Sequence, residues 1–234
     1  MVSLLVLLNF SLCTQYVFLL LFGITITAFA KSKPLKSKVN PEEVTNLQFF
    51  EPFAFISYIE TGNEAMLNDS MSGISRHILS KLLTGYRQEL HLSGTISIRD
   101  TGVQHKVIRE LESVINSVTR YGNLYCLKPT PVIDSILASR GKRFGLCTVS
   151  IGFTRVQGNY GKEYAKSKAI GILTNGWDYE KPVPLNSSLF EIIFDAVEHE
   201  VAFFGTSGKP EHPLKEELLR KRFREAFKGY FVVP

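Results

Sequence analysis

The thirty N-terminal residues contain no charged and no histidine side chain, although the chain of 234 residues has 27 Lys and Arg, 22 Asp and Glu and 5 His. From Val2 to Ala30 the segment is rich in Leu, Val, Phe and Ile, and four lysines follow between Lys31 and Lys38. An apolar run that ends at a basic stretch is typical of a segment that enters a bilayer. The sequence therefore predicts that residues 1–30 are separate from a folded body that has the whole net charge of +5.

Two fates are open for residues 1–30. Ala28 and Ala30 form an A-x-A-like site, which predicts a cleaved signal peptide with Lys31 as the first mature residue. About 20 apolar residues suffice to span a bilayer, so an uncleaved membrane anchor is the alternative. The lack of Lys or Arg before the apolar run weakens the prediction of secretion, and on the positive-inside rule the lysines after it would hold the C-terminal side in the cytoplasm. Leu12 precedes Cys13, where a lipoprotein signal has a small residue.

The remaining chain predicts a flexible tether over residues 31–45, rich in Lys, Pro and Ser, and one domain over residues 46–234. Hydrophobic residues make up 44% of the chain, which argues against a disordered body. After the leader only Cys126 and Cys147 remain, so a disulfide framework is excluded, although a single bridge between them is open. Cys147 lies in an alternating strand pattern that favours burial.

Hydrophobic patterns predict an α+β fold, in which a single mixed or mostly antiparallel β-sheet is covered by helices. The elements predicted in its first part are a central strand at Phe53–Ile59, a helix after Asn68, an alternating edge strand at Leu92–Ile98, a helix at Val103–Arg120 entered through Thr101 and Gln104, a helix that starts at Pro131 and stops before Gly141, and a strand at Leu146–Phe153.

The C-terminal part predicts a hairpin and a closing basic helix. Residues 162–173 suggest one more helix before it. Leu189–Ala196 and Glu200–Gly205 are two strand-like runs around a polar turn at residues 197–199. The last helix, Leu214–Lys228, has apolar residues on one side and Lys and Arg on the others, so it is expected to pack on the sheet.

This order of elements, with FEIIFDA and EVAFFG in the hairpin and FKGYF at the end of the closing helix, resembles uncharacterised small exported proteins of Gram-negative anaerobes. More distantly it resembles the α/β fold of the curli-secretion lipoprotein, the penicillin-binding-protein activator lipoproteins and the N-terminal domain of the Tol translocation protein. The resemblance covers residues 49–231. It implies an exported envelope protein, periplasmic or membrane-associated, that binds another protein or a cell-wall component.

No catalytic residue, cofactor or metal ligand is predicted. The sequence lacks G-x-S-x-G, H-E-x-x-H, G-x-G-x-x-G and a full P-loop, and residues 205–209 (GTSGK) are predicted to form a turn followed by Pro210. Glu198, His199 and Glu200 form an acidic and imidazole cluster, but neighbouring residues in a hairpin point to alternate faces. This cluster is therefore interpreted as a solvated turn.

An aromatic and polar segment between residues 155 and 179 is the predicted contact surface for a partner. Its candidate partner-binding residues are Arg155, Tyr160, Tyr164, Trp177 and Tyr179. Aromatic side chains in loops make good binding surfaces. The alternative is that these rings cover the sheet edge as an intramolecular lid.

The net charge of +5 can attract an anionic membrane surface or an acidic partner, or it can be a plain solvated face. Nucleic acid is not predicted, because an exported protein rarely meets it. The leading hypothesis is a non-catalytic envelope module that binds a protein or cell-wall partner. The alternatives are an envelope hydrolase or transferase whose site comes from residues distant in sequence, and a structural subunit of an envelope assembly. The oligomeric state is open.

Replacement of Trp177 by Ala tests the predicted contact surface. If this indole contacts a partner, the variant should retain its melting temperature within a few degrees and lose partner capture, because no core contact is removed. Thermal unfolding and capture by crosslinking measure the two effects. An unfolded variant would instead identify Trp177 as a core residue.

Overall fold

The computed structural model describes residues 37–60, 63–125, 127–174 and 181–234, which lie in a compact unit that extends from Ser32 to Pro234. Residues 1–30, Cys126, Trp177 and Tyr179 lie outside the described residues. No described helix combines the length and apolar character needed to cross a bilayer. The described chain has an α+β fold with one mixed sheet, which confirms the predicted fold class.

The sheet and its helices have the following bounds. The strands are β1 (Leu47–Phe50), β2 (Phe53–Ile59), β3 (Ala65–Leu67), β4 (Leu92–Ile96), β5 (Phe144–Arg155), β6 (Asn186–Asp195) and β7 (Glu200–Lys209). The α-helices are α1 (Asp69–Gly85), α2 (Thr101–Tyr121), α3 (Pro131–Ser139), α4 (Asn159–Leu173) and α5 (Glu216–Ala226), and a short 3₁₀ helix covers Pro41–Glu43.

Strand β5 is the centre of the sheet. On one edge it pairs in parallel with β1 through Gly145 and Leu146, and then with β2 from Val149 to Arg155. On its other edge it pairs antiparallel with β6, which pairs antiparallel with β7. Strand β4 lies parallel to β1, and β3 lies antiparallel to β2. Pro52 separates β1 from β2, because proline has no N–H for the ladder.

Helices cover both faces of this sheet. Leu189 and Ile193 of β6 belong to one apolar cluster, which contains residues of α1 and α5. Ile192 and Phe194 belong to the other cluster, which contains residues of α2 and α3. Because successive side chains of a strand point to opposite faces, the two clusters lie on opposite sides of the sheet. We call these the first face (α1 and α5) and the second face (α2 and α3).

The predicted hairpin and closing helix are present. The hairpin strands β6 and β7 extend to Asn186 and Lys209, so residues 205–209 are part of a strand, and the predicted turn at this position is wrong. Ladder hydrogen bonds join backbone groups, so small polar residues continue the pairing beyond the apolar run. Helix α5 packs on β6 and β7, with Leu219 and Phe223 fully buried.

The caps of α2 and α3 differ in how closely they match the sequence pattern. Asp100, and not Thr101, caps α2, since its Oδ1 accepts the Val103 N–H at 2.8 Å. Helix α3 begins at Pro131 as predicted. Its first N–H groups bond to Glu110 of α2, whose two carboxylate oxygens accept from Val132 and Ile133 at 2.9 and 3.0 Å. A side chain from a neighbouring helix therefore satisfies the start of α3.

Helix α1 faces the sheet with serines in its first turns. The apolar pattern predicts Ile74 on the inner stripe, but this side chain is 50% exposed, and Ser72 and Ser75 are buried. The Ser72 hydroxyl accepts the Ile56 N–H at 3.0 Å, and Ser75 is hydrogen-bonded to Ser150 at 3.3 Å. These bonds to β2 and β5 turn the serine side of the helix toward the sheet.

The described part of the predicted tether, residues 37–45, is packed. Val39 and Val44 are buried in the first-face cluster, and the Lys38 N–H donates to the Ala202 carbonyl of β7 at 3.0 Å. The tether prediction is therefore wrong for this part, because two spaced valines between polar residues are enough to hold the segment against the body.

Cys147 is buried in β5 and has a free thiol. Its predicted burial is confirmed, and that burial raises the pKa of the thiol well above its ordinary value.

One carboxylate, Glu191, lies in the middle of β6 and is fully buried on the first face. Thr148 Oγ1 donates to its Oε2 at 2.6 Å, and its Oε1 has no hydrogen-bond partner among the described residues. Burial raises the pKa of Glu191 well above its ordinary value of 4.5, because the charged form loses its hydration. The folded protein therefore retains the Glu191 proton to a higher pH than the unfolded chain.

Replacement of Glu191 by Gln should remove a pH dependence of stability. Above the ordinary pKa of 4.5 and up to the raised pKa, the folded state binds one proton more than the unfolded state. The free energy of unfolding of the wild type should therefore fall there by up to ~1.4 kcal/mol per pH unit. Gln cannot titrate, so Glu191→Gln should gain stability over the wild type as the pH rises.

Urea unfolding at a series of pH values measures this effect. Glu42→Gln, at an exposed position, is the control and should keep the wild-type slope. A Glu191→Gln slope equal to that of the wild type would show that Glu191 does not retain its proton in the folded state.

Gly205 lets the end of α5 approach β7 closely. An added Cβ would lie 2.0 Å from the carbonyl oxygen of Ala226, so helix and strand would have to separate. We expect Gly205→Ala to lower the free energy of unfolding by at least ~1–3 kcal/mol, the usual cost of overpacking. In Gly161→Ala, where the new Cβ has no neighbour within 4 Å outside the backbone of its own helix, stability should not fall. Thermal unfolding compares the two, and equal midpoints would contradict this contact.

Candidate functional site

The parallel strands β2 and β5 end at the same edge of the sheet, where Ile59 lies in register with Arg155. Strand β6 begins at this edge, since Asn186 pairs with Phe153. In open sheets with parallel strands, ligands bind outside the carboxyl ends of those strands. We call residues 60, 63–64, 155–164 and 181–186 the carboxyl edge.

Arg155 connects three segments of the carboxyl edge. Its Nε donates to the carbonyl of Val183 at 2.8 Å. Its Nη1 donates to Asn159 Oδ1 at 3.0 Å and to Asn63 Oδ1. Asn159 is buried, and its Nδ2 donates to the Glu60 carbonyl at 2.7 Å. The loop after β2, the start of α4 and the approach to β6 are therefore fixed around one guanidinium group.

The charge of Arg155 has no ionic partner among the described residues, where no carboxylate oxygen lies within 4.0 Å of its nitrogens. Its guanidinium lies over the Phe153 ring, 5.6 Å from the centroid. Burial lowers the pKa of Arg155, and the negative charge of Glu163 opposes that shift. A guanidinium remains protonated at any physiological pH. The carboxyl edge therefore has a fixed, partly desolvated positive charge.

Two tyrosines lie on α4, in the turns after Asn159. Tyr160 and Tyr164 are one turn apart, half-buried, with ring centroids 6.0 Å apart and planes at 26°. Tyr160 follows Asn159, the residue that binds Arg155. Helix α4 therefore has a stacked aromatic pair in the turns that follow its Asn159 contact with Arg155.

Exposed apolar side chains lie on β3, directly after Asn63 and Glu64. Met66 is 57% exposed and Leu67 is 41% exposed. Strand β3 pairs only with β2 among the described strands, so its outer backbone edge has no ladder partner there. Apolar side chains on an open strand edge are a feature of surfaces that bind other chains.

The structure therefore brings together three of the five predicted site residues. Arg155, Tyr160 and Tyr164 share the carboxyl edge, and Trp177 and Tyr179 lie outside the described residues. Asn63 and Asn159 are absent from the predicted set. Each follows a glycine a few residues after the end of a strand, as Gly62–Asn63 after β2 and Gly158–Asn159 after β5. A Gly–Asn pair behind a strand signals a turn, which is the clue that could have identified them.

The opposite edge of the sheet contains a second group of charges. His199 Nδ1 lies 3.0 Å from Asp134 Oδ2 of α3, and Glu200 pairs with Lys38. His199 and Glu200 thus contact different partners, in agreement with the prediction that neighbouring side chains of the Glu198–Glu200 cluster point to alternate faces. Among the described residues, no group of three or more His, Cys, Asp or Glu side chains is arranged to hold a metal ion.

Arg143 at this opposite edge differs from Arg155 because it has a carboxylate partner. Its Nε and Nη2 donate to the fully buried Asp195 at 2.9 and 2.7 Å. Asp195 Oδ1 also accepts the Val197 and Glu198 N–H groups, which closes the hairpin turn. A polar cavity of about 340 Å³ lies beside Arg143, between Glu43 and Lys142. The charge of Arg143 is therefore paired within the chain, and Asp195 fixes the geometry of the hairpin turn.

Comparison of the chain with protein-family models, curated protein sequences and solved structures finds no match.

Proposed function

We propose that this chain is a non-catalytic binding module of the cell envelope, which contacts a protein or cell-wall partner through its carboxyl edge. The observation that carries the proposal is the fixed guanidinium of Arg155, which has no ionic partner among the described residues and is bonded to Asn159, the residue before Tyr160 in the helix that holds the Tyr160 and Tyr164 pair. Interfaces are enriched in arginine and tyrosine, which contribute much of the binding energy.

The envelope part of the proposal is supported by the sequence. Residues 1–30 contain no charge and precede a basic stretch, which is the pattern of an exported or membrane-anchored chain. The net charge of +5 would also favour an anionic surface or partner in that compartment.

Rigid surroundings support a binding role for the guanidinium. Three hydrogen bonds to neutral oxygens restrict its rotation before any partner arrives. A preorganised side chain loses less conformational entropy on binding than a mobile one. The same hydrogen bonds cannot neutralise the charge, which therefore remains available to a partner.

Site-specific photo-crosslinking in intact cells tests the proposal. A photoreactive phenylalanine analogue in place of Tyr160 should give a discrete cross-linked product in the envelope fraction. The same analogue in place of Tyr125 is the control. Tyr125 is highly exposed and contacts Lys38, which bonds to the start of β7 and so lies near the opposite edge. The Tyr160 position should give a severalfold higher yield.

Three results would contradict the proposal. Equal crosslinking from both positions would mean that the carboxyl edge has no special contact role. Unprocessed full-length chain free in the cell interior would exclude the envelope. Turnover of a small substrate by the purified protein would replace binding with catalysis.

A further inference from the structure

We infer that the carboxyl edge recognises a carboxylate group of a peptide partner, with Arg155 as the residue that receives it. The inference rests on the proposed binding function and adds the chemical class of the ligand. Arg155 is well suited to this role because a guanidinium presents five N–H donors in a plane that matches carboxylate geometry.

The hydrogen bonds of Arg155 leave one nitrogen for a ligand. Nε donates to Val183, and Nη1 donates to Asn63 and Asn159. Nη2 has no hydrogen-bond partner among the described residues, and it is not fully buried. Its two N–H groups can therefore reach an oxygen that arrives from solvent.

The other shielded arginines of the described chain have carboxylate partners. Arg220 lies 3.0 Å from Glu216, and the fully buried Arg222 contacts Glu211 and Glu225. Among the described residues, half-buried Arg155 is bound only by neutral amide and carbonyl oxygens. Removing a charge from water is unfavourable unless the charge is paired. A carboxylate of a partner would therefore supply the ion-pair partner that the described residues do not give to Arg155.

Glu163 adds one negative charge that acts on the site. It acts electrostatically on Arg155 from α4 without forming an ion pair within 4.0 Å. One guanidinium next to one carboxylate suits a singly charged ligand better than a phosphate dianion, which is usually bound by several donors or cations. The stacked tyrosines and the exposed Met66 favour the apolar and amide surfaces of a peptide.

Two sources could supply the carboxylate: a peptide C-terminus or an acidic side chain. The probes are acetyl-Ala-Ala-Ala with a free C-terminus, its C-terminal amide, acetyl-Ala-Glu-Ala-amide, and phenyl phosphate. Each is titrated into the isotope-labelled full-length chain in a mild detergent, and NMR follows the backbone amides of Asn159 and Tyr160 and the Nε–H signal of Arg155.

We expect saturable shifts with one or both carboxylate peptides and none with the neutral amide. The stronger of the two peptides identifies the source of the carboxylate. Arg155→Gln should weaken binding by at least about tenfold, because the charge-assisted bonds are lost. Glu163→Gln should strengthen it, because a like charge is removed. This second variant leaves all three Arg155 hydrogen bonds in place, so it tests the inference even if Arg155→Gln fails to fold.

Several outcomes would overturn the inference. These are equal shifts with the amide, stronger binding of phenyl phosphate, which would indicate a phosphate or lipid-headgroup site, and unchanged affinity in a folded Arg155→Gln or in Glu163→Gln. Crosslinking from the Tyr160 position would be unaffected by such results. Failure of the ligand assignment and failure of the proposed function are therefore separable.

Discussion

The fold depends on the pairing of β5 along both of its edges. Its twelve residues receive β1 and β2 in parallel on one side and β6 antiparallel on the other. This central position explains why nine of the twelve residues of the strand are buried, and why it ends where a functional site can form. Since β2 and β5 run in parallel, their carboxyl ends meet at one edge, and Ile59 reaches Arg155 in register. The β6–β7 hairpin then extends the sheet without another crossover helix.

Packing on the two faces of the sheet is different in character. The second face is mainly apolar, with α2 and α3 over Ile192 and Phe194. The first face mixes apolar contacts of α1 and α5 with buried serines, Thr148 and Glu191. Gly205 allows α5 to reach the strand there. Polar groups of this kind give little net stability, but they require a defined arrangement of their partners, and Glu191 makes that arrangement sensitive to pH.

The two edges of the sheet use arginine in opposite ways. At one edge Arg143 is neutralised by Asp195, and the pair closes the hairpin turn. At the carboxyl edge Arg155 is oriented by amide and carbonyl oxygens, which fix its position without removing its charge. The first arrangement contributes to the structure of the chain itself. The second leaves a charge with which a partner can form an ion pair. This difference is the physical basis of the function we propose.

The sequence determined the elements that local pattern specifies: the fold class, the start of α3 at Pro131, the hairpin, the packing of α5 and the burial of Cys147. Arg155, Tyr160 and Tyr164 could be proposed as partner-binding candidates from the sequence, because an aromatic and polar segment is visible without a fold. Only the tertiary structure brought Asn63 and Asn159 to Arg155, 92 and 4 residues away along the chain. The same holds for the burial of Ser72 and Val39. Hydrophobic periodicity reports which side of an element is buried, but a hydrogen bond between distant polar side chains exists only after the chain has folded, since it depends on strand register.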